Sequence, residues 1–503
     1  MKQILYLLLG CLIPFQFLTA KVYSSPERTP VDYVNPYIGN ISHLLVPTYP
    51  TVHLPNSMLR IYPERENFTG NTINGLPLIV TSHRGSSAFN LSPYQGELQK
   101  AGSIIQYGYD NEVIKPYYYS VDLDDDGIYV QYAPSHQSGI YQIDFSQTDK
   151  PAYLIFNTRD GELKTDGKSI SGYQKLGNHT QVYIYLETDQ QPLKIGTHQG
   201  AVIRTTDKST QGHNAYYILE YPKGTASVLL RYGVSFISSE QAKQNLRREI
   251  KNYNLQAVAD KGRSVWNETL GKIFVKGGTE NEKTVFYTSL YRTYERMICI
   301  SEDGRYFSAY DGQVHDDEGI PFYVDDWIWD TYRATHPLRL IIETEMESNM
   351  VNSLIRMAYQ MQPNWMPTFP EINGDSRRMN CNHGVATVLD AYNKGMRSFD
   401  LAKAYQVCKA AITEKTLAPW SSKPAGVLDQ FYKDHGYFPA LAVGEQETVP
   451  EVHSWERRQP AAVTLGTVYD EWCLGNIAQA LGDKKEADYF LKRSLNYHKI
   501  FNK

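Results

Sequence analysis

The spacing of apolar residues changes near residue 238, and this change restricts the fold more than any other feature. Before it, short stretches alternate apolar with polar side chains and are separated by turn residues, as in residues 127–132 and 181–186. Alternation with a period of two is typical of strands that bury one face. Many short strands with regular turns favour a sandwich over β–α–β units. We therefore predict an antiparallel β-sandwich over residues 31–235.

After this point the spacing becomes helical. Ser238 is predicted to cap a helix that runs to about Leu270, and a short extended piece is predicted at residues 273–276. Further helices are predicted at residues 285–298, 326–342, 345–359, 384–393, 400–412, 467–481 and 484–501. Repeated helices with long loops are typical of an α/α toroid, so we assign residues 236–280 to linker helices and 281–503 to a toroid domain. Fewer helices are recognised than an (α/α)6 toroid needs, so a partial, truncated toroid is expected.

The N-terminus has the pattern of an export signal. Lys2 is followed by an almost continuously apolar stretch at residues 4–18, which is short for a membrane span. We predict a signal peptide over residues 1–20, with two alternatives for its processing: lipidation of Cys11 in a bacterial lipobox, or cleavage near Ala20. The mature chain is expected in the periplasm or at the outer membrane, with no transmembrane segment.

Composition narrows the class of partner. The formal net charge is -5 and no basic run is interleaved with aromatics, which argues against nucleic-acid binding. The chain contains 39 Tyr and 7 Trp, and these side chains offer sugars an apolar face and a polar tip. Tyr is also favoured in strands, so composition alone leaves both interpretations open.

Several motifs occur in the order seen in one enzyme family. Together they resemble glycoside hydrolase family 92, the exo-acting α-mannosidases. The motifs that carry the resemblance are Val34-Asn35-Pro36-Tyr37-Ile38-Gly39, Pro116-Tyr117-Tyr118-Tyr119-Ser120-Val121, Phe286-Tyr287-Thr288-Ser289-Leu290-Tyr291, Trp329-Asp330-Thr331-Tyr332-Arg333 and Tyr469-Asp470-Glu471-Trp472-Cys473.

The resemblance implies a β-sandwich followed by an (α/α)6 domain, calcium dependence, and removal of terminal α-mannose from glycans with inversion. It implies that Trp329 stacks on the sugar and that Asp330 accepts hydrogen bonds from its hydroxyls. Asp326 and Asp375 are further candidates for lining the same substrate pocket.

Two departures from the family pattern place catalysis in question. Gly466 occupies the position of the family's general acid, and the family's later segment with the general base and most calcium ligands has no counterpart before Lys503. Asp470 is one turn from Gly466 on a predicted helix, so it is the candidate substitute acid, with Glu451 and Glu456 as others. The alternative is a catalytically inactive glycan-binding relative or a gene fragment.

No metal motif is recognised. The acidic cluster at residues 122–126 lacks the terminal Glu of an EF-hand loop, and His315 and His383 are not spaced as zinc ligands. We therefore assign no residue as a metal ligand, and calcium stays an expectation of the family resemblance.

Overall fold

The computed structural model describes residues 28–39, 49–65, 70–81, 87–123, 127–147, 149–200, 202–379 and 382–501. The predicted signal peptide, Cys11 and Asp124–Asp126 lie outside these residues. The strands of the N-terminal half are β1 (Val52–His53), β2 (Arg60–Ile61), β3 (Thr72–Asn74), β4 (Leu76–Pro77), β5 (Phe89–Gln95), β6 (Gln106–Lys115), β7 (Tyr118–Leu123), β8 (Ile128–Pro134), β9 (Ser138–Phe145), β10 (Ala152–Thr165), β11 (Ser169–Gly177), β12 (Thr180–Thr188), β13 (Lys194–Gln199), β14 (Val202–Arg204), β15 (Ser209–Tyr221) and β16 (Ser227–Ser235).

These strands form the predicted antiparallel β-sandwich. The order across the main sheet is β14-β13-β15-β10-β11-β12-β16-β9-β8-β7-β6-β3, and β5 joins it through β10. The long strand β10 is shared, because residues 152–158 pair with β5 while residues 161–165 pair with β11. A Cβ on Gly161 would lie 1.9 Å from the carbonyl oxygen of Tyr173, so this transfer between partners needs a glycine.

Burial explains the tyrosine content of the strands. Strand β12 alternates buried and partly exposed residues along most of its length, as the period-two pattern predicted. Tyr132, Tyr141 and Tyr232 are fully buried between strands, and the hydroxyls of Tyr132 and Tyr232 lie 3.2 Å apart. These tyrosines are therefore core residues, which supports the structural interpretation of the composition for this part of the chain.

The C-terminal half is mainly helical. The helices are α1 (Ser239–Glu249), α2 (Leu255–Leu270), α3 (Glu280–Thr293), α4 (Ile328–Thr331), α5 (Thr335–Ile342), α6 (Thr344–Gln360), α7 (Gly384–Asn393), α8 (Leu401–Thr413), α9 (Val427–His435), α10 (Pro460–Ala480) and α11 (Lys484–Ser494). Short strand pairs interrupt them, namely β17 (Ile298–Cys299) with β20 (Tyr323–Val324), β18 (Arg305–Ser308) with β19 (Gln313–Asp316), and β21 (Pro370–Glu371) with β22 (Gly374–Asp375). Turns of 3-10 helix occur at Pro30–Tyr33, Leu98–Lys100 and Leu495–Ile500.

Some helix predictions need correction. The single helix predicted over residues 238–270 is two helices, because Asn254 caps a second one by accepting from the backbone N–H of Ala257 at 3.0 Å. Residues 273–276 form no strand, and the helix predicted over residues 326–342 is broken between α4 and α5. Helix α9 was not predicted, and α10 begins at Pro460 rather than Thr467, since proline suits a first helical position.

Helix α10 is apolar on more than one face. Its buried side includes Val463, Leu474 and Ile477, yet Tyr469 and Trp472 are 40% and 44% exposed. A helix that is apolar all round usually lies in an interior. The exposed face of α10 is therefore unusually apolar for a surface.

Candidate active site

A polar pocket lies where the sandwich meets the helical half. Its volume is about 250 Å³, close to the lower end of the roughly 300–1,000 Å³ usual for ligand sites. The sandwich contributes Thr81 and Leu176, and the helical half contributes Asp325, Glu371, Ile372, Asn373 and Arg378. We call this cavity the junction pocket.

Two arginines from different parts of the chain hold Asp325 at the pocket wall. The Arg60 guanidinium on β2 lies 2.5 Å from one oxygen of Asp325, and that of Arg296 lies 2.7 Å from the other. All three side chains are at most 14% exposed. Asp325 has a φ of 70°, a conformation that Asp tolerates better than most residues. The carboxylate is therefore fixed in place with its charge matched by cations from both domains.

Glu371 is the second pocket carboxyl, and it stands on the β21–β22 hairpin. Burial raises the pKa of Glu371, while the positive charge of Arg378 opposes that rise. The Arg378 guanidinium lies 3.1 Å from a carboxylate oxygen of Glu371. The pocket thus presents one carboxylate paired with two cations and one carboxyl that holds its proton to higher pH than usual.

Asp375 anchors the loop that carries Glu371. Its carboxylate accepts hydrogen bonds from the backbone N–H groups of Thr368, Phe369 and Arg377, at 3.0, 2.9 and 3.0 Å. The side chain is 2% exposed. The structure therefore places Asp375 behind the pocket wall, where it shapes the hairpin, rather than among the lining residues.

The indole of Trp327 lies beside Arg296, one of the two arginines that hold Asp325. Its ring stacks on Phe369 with centroids 5.6 Å apart, and the Arg296 guanidinium lies 4.0 Å from its centroid. Sequence reasoning selected Trp329 and missed Trp327. The signal available was the Trp-Ile-Trp run directly after Asp325 and Asp326.

Trp329 and Asp330 lie on α4, on the same segment but not among the residues that line the junction pocket. Trp329 is half-buried and Asp330 is exposed, so neither lies in a helix core. Burial and the neighbouring charge of Asp326 raise the pKa of Asp330. Their assignment to substrate binding stays a prediction.

Asp326 is fully buried. One of its oxygens accepts from the Thr331 hydroxyl at 2.8 Å, and the other lies 2.9 Å from Nε2 of His336. With 0% exposure it has no contact with solvent. A sugar in the junction pocket would therefore not touch Asp326 directly.

Asp470 occupies an equally closed position on α10. Its oxygens accept from the backbone N–H of Asn382 at 2.9 Å and face Nδ1 of His383 at 2.6 Å. Asp470 is 0% exposed, so in this arrangement it does not reach a leaving oxygen. Glu451 and Glu456 are partly buried on the loop before α10 and do not line the junction pocket.

Calcium dependence stays a prediction of the family resemblance. No group of three or more His, Cys, Asp or Glu side chains in the described part of the chain is arranged to hold a metal ion. Asp122 accepts a hydrogen bond from the Asn111 amide at 2.8 Å, and His315 pairs with Asp311 at 2.8 Å.

In the part of the chain that the structure describes, no helix has the length and apolar character needed to cross a membrane.

Comparison with known proteins covers both halves of the chain. The family model described as the glycosyl hydrolase family 92 N-terminal domain matches residues 33–235, and the one described as the glycosyl hydrolase family 92 catalytic domain matches residues 241–503. A protein of Arthroderma benhamiae described as an uncharacterized secreted glycosidase is 22% identical over 97% of this chain and 64% of its own length.

Solved structures give the same picture. An inverting mannosidase of family 92 from Bacteroides thetaiotaomicron superposes with a TM-score of 0.82 at 25% identity, over 95% of this chain and 66% of that chain. A family 92 α-mannosidase from the same organism superposes with a TM-score of 0.81 at 22% identity, over 94% and 66%. The chain thus spans about two thirds of the length of these relatives.

Proposed function

Because the chain belongs to glycoside hydrolase family 92, we propose that it is a glycosidase that takes the terminal α-mannoside residue of a glycan into the junction pocket. The observation that carries this proposal is the pocket itself, in which Asp325, Glu371 and Arg378 converge between the two domains. A solved inverting mannosidase with the same fold supports the choice of sugar.

The pocket chemistry suits one sugar ring. A carboxylate such as Asp325 accepts hydrogen bonds from two neighbouring hydroxyls, while the guanidinium of Arg378 donates to others. The Asn373 side chain adds an amide, and Leu176 and Ile372 add apolar surface. A small cavity with a few convergent polar groups favours a single terminal residue over a long chain.

Glu371 is our candidate for the proton donor. Glycoside hydrolysis needs a carboxyl that protonates the leaving oxygen, and its pKa must be raised for that task. Burial raises the pKa of Glu371, whereas Asp325 is paired with Arg60 and Arg296. An inverting enzyme also needs a carboxylate that activates water, and none of the residues lining the pocket is assigned to it.

A second candidate function is glycan binding without turnover. Gly466 stands where the family resemblance places the general acid, and the nearby carboxyl of Asp470 is fully buried. Since both pocket carboxyls can still bind hydroxyls, loss of hydrolysis would leave recognition intact. The expected partner in either case is a terminal α-mannoside.

We also propose that the chain acts outside the cytoplasm. The apolar stretch at residues 4–18 and the description of the Arthroderma benhamiae protein as secreted support export. A lipid anchor on Cys11 and a periplasmic location remain predictions, and radiolabelled palmitate incorporation with a Cys11→Ala control would test the anchor.

The central experiment separates binding from hydrolysis. Calorimetric titration with methyl α-mannoside should show binding, and methyl α-glucoside should bind more weakly. Turnover is measured separately, by the release of nitrophenol from 4-nitrophenyl α-mannoside. Glu371→Gln should keep binding within about threefold and reduce turnover at least about a hundredfold. Binding without turnover in the wild type would favour the second function, and absence of mannoside binding would overturn both.

A further inference from the structure

A buried histidine lies directly behind the segment that supplies Asp325 to the junction pocket. His336 on α5 is 1% exposed, and the carboxyls it faces, Asp326 and Glu347, are both 0% exposed. The Nε2 atom of His336 is 2.9 Å from Asp326, and Nδ1 is 2.6 Å from Glu347. None of these three residues lines the pocket.

The geometry sets the protonation of this histidine. An ionised carboxylate only accepts hydrogen bonds, so each ring nitrogen facing one must donate, which requires an imidazolium. Burial works to lower the pKa of His336, but the charges of Glu347 and Asp326 raise it to about 10. The two contacts and the raised pKa therefore favour a protonated His336 at neutral pH.

Asp326 connects His336 to the two backbone segments that carry the pocket carboxyls. It follows Asp325 in the chain, and its backbone N–H donates to the carbonyl of Pro370 at 2.8 Å. Pro370 precedes Glu371 on β21. Asp326 thus belongs to the backbone stretch that carries Asp325 and is hydrogen-bonded to the stretch that carries Glu371.

We propose that His336 is a positioning residue of the junction pocket: by holding Asp326 in place, it sets the relative positions of Asp325 and Glu371. This inference rests on the proposed function for its consequence in sugar binding. Residues that orient direct ligands from behind are known to affect affinity strongly without touching the ligand.

The charges around His336 explain why a neutral replacement would disturb the site. Asp326 faces it from the loop before α4, and Glu347 faces it from the first turn of α6. Burial works to raise the pKa of Asp326, but His336 and, to a smaller extent, the buried Arg339 on α5 lower it. The charge of Asp326 in turn helps to raise the pKa of Asp330 on α4. Without the imidazolium, two buried carboxylates would share too little positive charge.

Two substitutions of His336 separate its two contacts. The amide of His336→Gln can replace the Nε2 donor to Asp326, whereas the amide of His336→Asn can replace only the Nδ1 donor to Glu347. Both remove the positive charge and the ring, so they form a matched pair. Because both variants lack the charge, both should bind methyl α-mannoside more weakly than wild type, and we expect binding by His336→Asn to be at least tenfold weaker than binding by His336→Gln.

A measurement without sugar makes the inference independent of the proposed function. Hydrogen exchange of the peptide spanning residues 323–333 should be at least tenfold faster in His336→Asn than in His336→Gln. Equal exchange in the two folded variants would overturn the positioning role. Failure of the wild type to bind mannoside would instead overturn the proposed function, while the exchange comparison would still decide this one.

The wild-type protein offers a test that needs no variant to fold. In proton–nitrogen spectra of histidine-labelled protein, His336 should show both ring nitrogens protonated from pH 6 to 8. A ring that is neutral at pH 7 would overturn the inference, because the two carboxylates could not then both accept from it.

Discussion

Two glutamates seven positions apart in the chain lie between the sandwich and the helices, yet their pKa values are shifted in opposite directions. Glu295 stands near the junction pocket, beside Arg296, and Glu302 packs against α1 through Asn245. Burial works to raise the pKa of Glu295, but the charges of Arg292 and neighbouring groups lower it to about 2. Burial raises the pKa of Glu302 to about 7.

Their partners explain the difference. Glu295 accepts from the Thr51 hydroxyl at 2.5 Å and pairs with Arg292 at 3.3 Å. Glu302 instead accepts hydrogen bonds from neutral donors, among them the backbone N–H of Phe236 at 2.9 Å and the Asn245 amide at 2.7 Å. The attraction of nearby cations outweighs the cost of removing the Glu295 carboxylate from water, whereas the neutral hydrogen bonds to Glu302 offset only part of that cost. The pocket end of the junction is therefore held by ion pairs and the α1 end by a titratable acid.

The largest expected effect comes from removing a charge at the pocket end. Asp325→Asn should reduce the free energy of unfolding by about 3–5 kcal/mol, because it leaves Arg60 and Arg296 buried without their anion. Asn also tolerates the φ of 70° at this position, so backbone strain does not confound the result. Urea unfolding at pH 7 measures the change.

Asp303→Asn is the matched control. Asp303 also has a positive φ, of 51°, and pairs with Arg248, but its side chain is 45% exposed. Exposed ion pairs contribute less than about 1 kcal/mol, so this variant should be close to wild type. Equal losses of unfolding free energy in Asp325→Asn and Asp303→Asn would show that buried and exposed ion pairs contribute equally here.

The α1 end should respond to rising pH. Between about pH 4.5 and 7, native Glu302 keeps a proton that the unfolded chain has released, so its contribution to stability is present at low pH and lost as pH rises. The expected loss is about 3 kcal/mol, measured by urea unfolding between pH 4.5 and 8. In Glu302→Gln, the free energy of unfolding should change less over this pH range. An unchanged pH dependence would show that another group causes the loss of stability.

The pocket end should respond to falling pH in the opposite sense. The pKa of Glu295 is lowered, so its contribution to stability is present above about pH 4.5 and lost as pH falls toward 2. Since its side chain is 16% exposed, we expect a loss of about 2 kcal/mol. Unfolding curves from pH 5 to 2.5 for wild type and Glu295→Gln test this, and parallel curves would contradict it.

The smallest expected effect on stability is at the pocket rim. Arg378→Ala should change the free energy of unfolding by less than about 1 kcal/mol, because the arginine is 32% exposed. Calorimetric affinity for methyl α-mannoside should nevertheless fall about tenfold, through loss of a charged donor. Arg458→Ala, which breaks a pair with Glu447 on the loop before α10, should leave affinity unchanged. Similar losses of affinity in Arg378→Ala and Arg458→Ala would show that Arg378 does not bind the sugar directly.

The candidate site shows how far sequence reasoning reached. The Trp-Asp-Thr-Tyr-Arg motif selected residues that follow shortly after Asp325, which lines the junction pocket. Glu371 lies four residues before the predicted Asp375, but the burial of its carboxyl and its contact with Arg378 exist only after the hairpin folds. Asp470 was selected for its position one helical turn from Gly466, and periodicity does not reveal whether such a face is covered.

The sequence itself determined that a strand-rich half precedes a helical half, because the period of apolar residues distinguishes strands from helices and caps such as Asp400 act locally. The motifs likewise determined the family. Only the tertiary structure decided which carboxyls are ionised, closed off or open to a ligand. Those properties depend on partners distant in the chain, such as Arg60 for Asp325 and His383 for Asp470, and no local pattern encodes them.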